Sequence, residues 1–187
     1  MDPFSYLSVL ISIVLALSIA HLLSALVRVV HNRSRSVIYW PSLTFAYVLF
    51  LAIIQVWWAD FGLNRHADWT FAAFASTLLI PADLYLLCAL LLPSADLPSA
   101  DDMRTAYESN RVWFFGGIFA LPVLSFTQEL LVDGHISAPS DTIFKLTFAA
   151  VAVVGMSAKS EVVQKIIAVV GAILVTTYVA MLFSTLG

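Results

Sequence analysis

FSYLSVLISIVLALSIAHLLSALVRVV, residues 4–30, decides the fold class of this chain. Arg28 is its only formally charged side chain, and a helix of this length can cross the roughly 30 Å hydrocarbon core of a bilayer. The only charge before it is Asp2, and the basic residues follow it, which is the reverse of a secretory signal peptide. The stretch therefore predicts a retained first transmembrane helix.

The rest of the chain shares this apolar character. Of its 187 residues, 61% are hydrophobic and 11% are charged, whereas soluble domains carry about 25% charged residues. Lipid can solvate so much apolar surface, and water cannot. The net charge of −3 and the lack of a basic run argue against nucleic-acid binding. A single cysteine, Cys88, excludes an intrachain disulfide and a zinc–thiolate cluster, and we expect it to be a small core residue.

Six apolar stretches are long enough to span a bilayer, so we predict an all-α, polytopic bundle of about six transmembrane helices in a single domain, residues 1–187. The predicted spans are Phe4–Val30, Val37–Leu63, Thr70–Leu92, Val112–Val132, Thr142–Ala158 and Val162–Leu186. Between the third and fourth spans lies a longer connection, where the segment from Ser99 to Asp102 resembles a helix N-cap with an acid three residues on. A short amphipathic surface helix is predicted there, with an apolar side formed by Met103, Ala106 and Tyr107.

Basic residues predict the orientation, because they are enriched in cytoplasmic connections. Seven of the nine Lys and Arg residues fall in the first, third and fifth connections, and only Arg65 falls in the others. We therefore expect both termini to lie outside. The aromatic residues at the span ends agree: Tyr39, Trp40, Tyr107 and Trp113 would form an inner interfacial belt, and Trp57, Trp58 and Trp69 an outer one.

Small residues recur every four positions in two spans, a spacing that allows helices to approach closely in lipid. The two ridges are Ser8, Ser12, Ala16, Ala20, Ser24 in the first span and Ala168, Ala172, Thr176, Ala180, Ser184 in the sixth. We expect both ridges to make close helix contacts, within one chain or between protomers.

Asp83 is the strongest candidate for a polar site, because a carboxylate inside a span is costly and needs a reason to be there. Pro81 would free the carbonyl of Thr77 and open the helix beside it. His21 is predicted at similar depth, with Ser24 near its face, so an Asp–His pair could pass protons. The alternatives are a structural carboxylate and a histidine that serves packing alone.

A second polar cluster is predicted towards the opposite side of the membrane. Glu129 and Lys145 lie at similar depth on consecutive antiparallel spans, which favours an ion pair, with Gln128 and Gln55 nearby. The alternative is that both charged side chains reach the headgroups separately.

No nucleophile, zinc-protease, P-loop or haem-attachment motif is present in the sequence, so we expect no catalytic residues, no cofactor and no metal site. The runs YWPSL, QVWWADFGL and ADWTFAAF (residues 39–43, 55–63 and 67–74) carry a resemblance instead. They resemble the aromatic layout of small uncharacterised integral-membrane proteins of bacteria. The resemblance covers mainly the first half of the chain. It implies a bacterial inner-membrane location and lends no functional residues.

These features support two functions. The first is a small channel or transporter for protons, ions or small solutes, with Asp83 and His21 at its centre and Glu129 and Lys145 at its outer mouth. The alternative is a non-catalytic membrane subunit, sensor or assembly factor that contacts another membrane protein, or a second copy of this chain. A water-accessible cavity reaching Asp83 would favour transport, and a dry, packed bundle would favour the partner role.

Overall fold

Helices form nearly all of the described chain. The computed structural model describes residues 3–31, 38–60, 62–63, 69–92, 102–136 and 138–184. Its α-helices are α1 (Pro3–His31), α2 (Trp40–Asp60), α3 (Phe71–Leu91), α4 (Asp102–Val132), α5 (Pro139–Ser157) and α6 (Glu161–Ser184). Their bounds fall within three residues of the predicted spans, except at the start of α4, which begins ten residues before the predicted Val112.

All six of these helices are long and apolar enough to cross a membrane. Large apolar side chains cover the outside of the bundle; Val9, Leu146 and Ile173 are each more than half exposed. Such a surface is stable in lipid and would aggregate in water. The chain is a multi-pass helical membrane protein, as its sequence predicts.

The helices pack in a ring whose order is α1, α3, α4, α5, α6 and α2, with α2 also contacting α3. The ring is filled by aromatic side chains from α2 and α4. Phe45 lies with its ring centroid 5.2 Å from that of Phe114 and 5.5 Å from that of Phe115, both in edge-to-face geometry. This arrangement is favourable for aromatic pairs, and it leaves the middle of the bundle occupied by side chains.

Glycine permits the closest contacts of α4 with its neighbours. A Cβ placed on Gly155 of α5 would lie 2.4 Å from Cε1 of Phe115. A Cβ placed on Gly117 of α4 would lie 2.8 Å from Cδ2 of Leu87 on α3. Real Cβ atoms do not approach other atoms this closely, so the packing of α5 on the Phe115 ring requires that residue 155 has no side chain. At Gly117 a shift of the flexible end of Leu87 could make room.

The predicted surface helix is part of α4 and not a separate element. Residues 102–111 continue without a break into the fourth span, because neither proline nor glycine interrupts the chain before Gly116. The predicted apolar side is confirmed for Met103 and Tyr107, which are 1% and 2% exposed. The predicted N-cap at residues 99–101 lies outside the described residues.

Two of the tyrosines expected in the inner belt turn into the bundle instead. Tyr39 and Tyr107 are buried, with ring centroids 5.3 Å apart, whereas Trp40 and Trp113 are exposed at 41% and 74%. The tyrosines pack against each other and Tyr107 finds a hydrogen-bond partner inside, so they contribute to the core rather than to the interface.

The two small-residue ridges differ. In α6, Ala168 is fully buried where the helix packs against α2. In α1, however, Ser12, Ala16, Ala20 and Ser24 are exposed on the outside of the bundle. The packed face of α1 is formed by larger residues such as Leu7, Ile11 and Leu22, because their volume fills the space against α3 and α2. From Ser12 to Ser24, the α1 ridge therefore makes no close helix contact with the rest of the described residues, and the side chain of Ser184 lies outside the described part.

Candidate functional sites

Asp83 lies where α3 meets α4. A Cβ on Gly117 would lie 3.2 Å from Oδ1 of Asp83, so the carboxylate faces the α4 backbone at a glycine. Its Oδ2 is buried and has no hydrogen-bond partner among the described residues. An unpartnered carboxylate oxygen in this environment is unfavourable, because burial removes its hydration without replacing it.

His21 approaches α3 at a different point from Asp83. Its imidazole packs edge-on against Tyr85 with ring centroids 6.0 Å apart, and its Nε2 is buried without a hydrogen-bond partner. The structure forms no hydrogen bond or ion pair between these two described side chains. Asp83 and Tyr85 are two residues apart on α3, which turns them about 200° from one another. The aromatic contact that His21 makes with α3 is therefore with Tyr85, and the predicted bond to Asp83 is not formed.

The other two residues predicted for this site do not join it. Ser24 is exposed on the outside of α1, and Thr77 is buried with its hydroxyl donating to the carbonyl of Ala73 at 2.9 Å. The predicted break at Pro81 is also absent, since α3 is continuous from Phe71 to Leu91. Proline is tolerated in transmembrane helices where neighbouring helices and hydroxyl side chains compensate. The four predicted residues thus form no common site.

A second group of polar side chains does come together, and we call it the Lys145 cluster: Gln55, Glu129, Asp141, Lys145 and Tyr178. The predicted ion pair between Lys145 and Glu129 is confirmed, and both side chains are 12% exposed. Lys145 also pairs with Asp141 one helical turn earlier, with Nζ 2.5 Å from Oδ2. Because the Glu129 and Lys145 side chains are buried and paired with each other, they do not extend separately to the lipid headgroups.

Tyr178 links α6 and α2 to this cluster. Its hydroxyl donates to Oδ1 of Asp141 at 2.5 Å, and the Gln55 side chain hydrogen-bonds the same tyrosine. The predicted participation of Gln55 is therefore realised through a residue that the sequence analysis missed. Gln128 forms no hydrogen bond with the cluster among the described residues.

The Lys145 cluster connects four helices near one end of the bundle, namely α2, α4, α5 and α6. Lysine supplies one positive charge and the two carboxylates supply two negative ones, so the ionised cluster has a net charge of −1. The Phe126 ring lies 5.2 Å from Nζ of Lys145 and adds a cation–π contact. Chemically, the arrangement can stabilise the bundle or retain one proton or cation.

A polar cleft opens at the other end of the bundle, and we call it the α4–α6 cleft. Its volume is about 220 Å³, and it is lined by Tyr39, Glu108, Arg111, Lys159, Glu161 and Gln164. Burial, with the charge of Glu161 as the next contribution, raises the pKa of Tyr39, so this phenol stays protonated and can donate a hydrogen bond.

Buried hydrogen bonds hold the floor of this cleft. Oε1 of Gln164 accepts from the Tyr107 hydroxyl at 2.7 Å, and its Nε2 donates to the carbonyls of Gly155 and Ala158 at 3.0 and 2.7 Å. Arg111 donates through Nη1 to the carbonyl of Ala158. The connection between α5 and α6 is thereby fixed against α4.

A shallow groove lies on the outward side of α6, and we call it the α6 groove. It has a volume of about 270 Å³ and is lined by Ala172, Ile173, Thr176 and Thr177. The Thr176 hydroxyl donates to the carbonyl of Ala172 at 2.7 Å and lies 3.1 Å from the Tyr47 hydroxyl. Thr177 is exposed and forms no hydrogen bond through its hydroxyl among the described residues.

No protein-family model, curated protein or solved structure matches this chain. Function must therefore be inferred from its own side chains. Over the described ranges, no three His, Cys, Asp or Glu residues lie close enough to hold a metal ion.

Of the site residues that the sequence analysis did not identify, two could have been predicted from the sequence. Asp141 lies four residues before Lys145, the spacing at which opposite charges pair on a helix. Gln164 is a polar residue at the start of an apolar span, where a buried amide requires partners. Tyr178 had no comparable signal, because tyrosine is common on both the lipid-facing and the packed sides of transmembrane helices.

Proposed function

We propose that this chain is a non-catalytic membrane protein that acts by binding a transmembrane helix of another membrane protein. The observation that carries the proposal is the α6 groove, a shallow and open depression on the outside of the bundle. Three of its four lining residues are alanine or threonine, and small residues of this kind mark the places where helix backbones approach closely in lipid.

Unused hydrogen-bonding capacity in the groove supports the same function. The Thr177 hydroxyl has no partner within the described chain, although threonine in a membrane helix usually donates to a carbonyl one turn back. A hydroxyl facing hydrocarbon gains from a bond to an adjacent helix. The groove therefore offers a partner helix mostly small side chains and a hydroxyl that can form a hydrogen bond.

The interior of the bundle favours this role over transport. The transport hypothesis requires a wet path to Asp83, but Asp83 lines neither the α4–α6 cleft nor the α6 groove. The middle of the ring is filled by Phe45, Phe114 and Phe115, each no more than 2% exposed. A packed aromatic centre is the arrangement expected for a protein that works through its outer surface.

Crosslinking in native membranes tests the proposal. Cys88, the only cysteine, is buried, so a Cys88→Ser background leaves any introduced cysteine unique. Thr177→Cys places a thiol in the groove. Leu146→Cys is the control, since Leu146 is 57% exposed and adjoins Lys145 at the depth of Tyr178. We expect a crosslinked product, identified by mass spectrometry, from Thr177→Cys alone. Adducts in equal amounts from both variants, or none from Thr177→Cys, would refute the groove as a binding surface.

Transport of protons or ions is the second candidate function, favoured by the buried, unpartnered Oδ2 of Asp83. Its test is flux in proteoliposomes, where Asp83→Asn should retain the fold and abolish a pH-dependent current. Equal flux in the parent protein and in Asp83→Asn, or no flux in either, would rule out this transport function and leave helix binding as the remaining candidate.

We propose that the protein lies in the bacterial inner membrane, with both termini outside. The resemblance of the aromatic runs supports the location, and the distribution of Lys and Arg supports the orientation. A second copy of the chain is one of the partners that the crosslinking experiment would detect, as a product of doubled mass.

A further inference from the structure

We propose that the α4–α6 cleft binds a phosphate-bearing anion between Arg111 and Lys159. This inference is independent of the helix-binding function, since the cleft and the α6 groove share no residue. The cleft brings together the start of α2, the first turns of α4 and the connection between α5 and α6. It therefore lies at the end of the bundle where helices leave the membrane.

The charges around the cleft leave a positive surplus. Arg104 pairs with Glu108 at 2.7 Å and with Glu161 at 3.1 Å, and Lys165 pairs with Glu161 at 2.6 Å. Both carboxylates that line the cleft are thus already matched by cations outside it. Arg111 and Lys159 have no ion-pair partner among the described residues, which leaves two positive charges for a ligand.

Arg111 is held in position for this task. Its Nη1 donates to the carbonyl of Ala158, while its Nε is buried with no hydrogen-bond acceptor among the described residues. A guanidinium fixed at one nitrogen loses little conformational freedom on binding an oxyanion. The protonated hydroxyl of Tyr39 is a further donor in the lining. Cations together with a neutral donor are the groups that recognise phosphate oxygens.

The size and position of the cleft limit the kinds of anion that could bind there. A volume of about 220 Å³ suits a phosphate and a small substituent. Trp40 and Trp113, next to Tyr39 and two residues after Arg111, are exposed at 41% and 74%. Exposed tryptophans mark the headgroup region of a bilayer, so phosphatidylglycerol is a natural source of the anion, and free phosphate is the other.

Native mass spectrometry of the purified full chain in detergent, titrated with phosphatidylglycerol or phosphatidylcholine, tests the site. We expect saturable binding of one phosphatidylglycerol per chain and weaker binding of phosphatidylcholine. Lys159→Gln and Arg111→Gln should each weaken phosphatidylglycerol binding about five-fold, as expected for one basic residue near anionic lipid. Arg28→Gln is the control, because it removes a cation from the last turn of α1, outside the cleft lining.

The competition experiment distinguishes a lipid headgroup from free phosphate as the source of the anion. Competition by millimolar inorganic phosphate, with phosphate binding in calorimetry, would identify free phosphate as the source; lipid binding without such competition would identify the headgroup. Lys159 forms no hydrogen bond or ion pair in the described chain, so Lys159→Gln keeps the fold even if Arg111→Gln does not. Equal binding of the two lipids, or losses as large in Arg28→Gln as in Lys159→Gln, would overturn the site.

Discussion

Lys145 has two carboxylate partners, and this makes the Lys145 cluster asymmetric. If Lys145 is removed, Glu129 and Asp141 are left facing each other with no cation. If Glu129 is neutralised, Lys145 keeps Asp141 as its counter-ion. Because the penalty for breaking a buried ion pair is mainly that of the charge left behind, the two changes should have unequal effects.

We expect Lys145→Met to lower the free energy of unfolding by about 3–5 kcal/mol, and Glu129→Gln to lower it by less. Lys165→Met is the matched control, since the Lys165–Glu161 pair is much more exposed and such pairs contribute about 0–1 kcal/mol. Reversible unfolding in mixed detergent micelles measures all three. Equal losses from Lys145→Met and Lys165→Met would contradict a structural role for the cluster.

Depth along a span could be predicted from the sequence, and the direction of a side chain around its helix could not. The Glu129–Lys145 pair was predicted because α4 and α5 are consecutive, so similar depth on neighbouring helices sufficed. The same argument failed for His21 and Asp83, where contact depends on the rotation of each helix about its axis. That rotation is set by tertiary packing, including the close approach of α3 and α4 at Gly117.

Helix pairs around α4 depend on glycine at particular points of contact. Gly155→Ala should lower the free energy of unfolding by about 1–3 kcal/mol, the usual cost of overpacking, because the new Cβ would meet the Phe115 ring. Gly116→Ala is the control, since nothing lies within 4 Å of a Cβ there, and better helix propensity should make it neutral or stabilising. Thermal unfolding of the two variants in detergent provides the comparison. A Gly155→Ala protein as stable as the parent would show that α4 and α5 are packed less tightly than described.

The two small-residue ridges should respond differently to enlargement. Ala168→Leu, at a fully buried position in α6, should cost about 1–3 kcal/mol through overpacking. Ala20→Leu, on the exposed side of α1, should stay within about 0.5 kcal/mol for the isolated chain. The assay is chemical unfolding of the purified protein. A large loss in Ala20→Leu would show that α1 is rotated relative to the structure.

Element boundaries followed from composition wherever an apolar run ended in polar or turn-forming residues. Thr70, for example, caps α3 by accepting from the backbone N–H of Ala73 at 3.1 Å. The start of α4 was predicted as a separate surface helix, because residues 103–111 are too polar to be read as part of a span. They contain neither glycine nor proline, so the helix continues from them into the apolar stretch.

Across the whole chain, the distribution of Lys and Arg predicts a single orientation. His135 lies exposed between α4 and α5, and Lys159 lies exposed between α5 and α6. In a Cys88→Ser background, a membrane-impermeant thiol reagent added to intact cells should label His135→Cys and spare Lys159→Cys. The reverse pattern would invert the predicted topology. Labelling of both after membrane disruption is the control for reactivity.

The pairing of Lys145 with Glu129 also affects how α5 inserts into the membrane during synthesis. Of the six membrane helices described, α5 has the lowest mean hydropathy, and Lys145 inside it opposes partitioning from the translocon by less than the roughly 2.5–3.5 kcal/mol of a lysine at a helix centre. One of the two counter-ions of Lys145 is Asp141 on α5 itself, and the other is Glu129 on α4, which leaves the ribosome immediately before α5. We expect α5 alone to insert poorly in a glycosylation reporter and the α4–α5 hairpin to insert efficiently, with Glu129→Gln reducing that efficiency. The two helices would then enter the bilayer together, with Lys145 already paired.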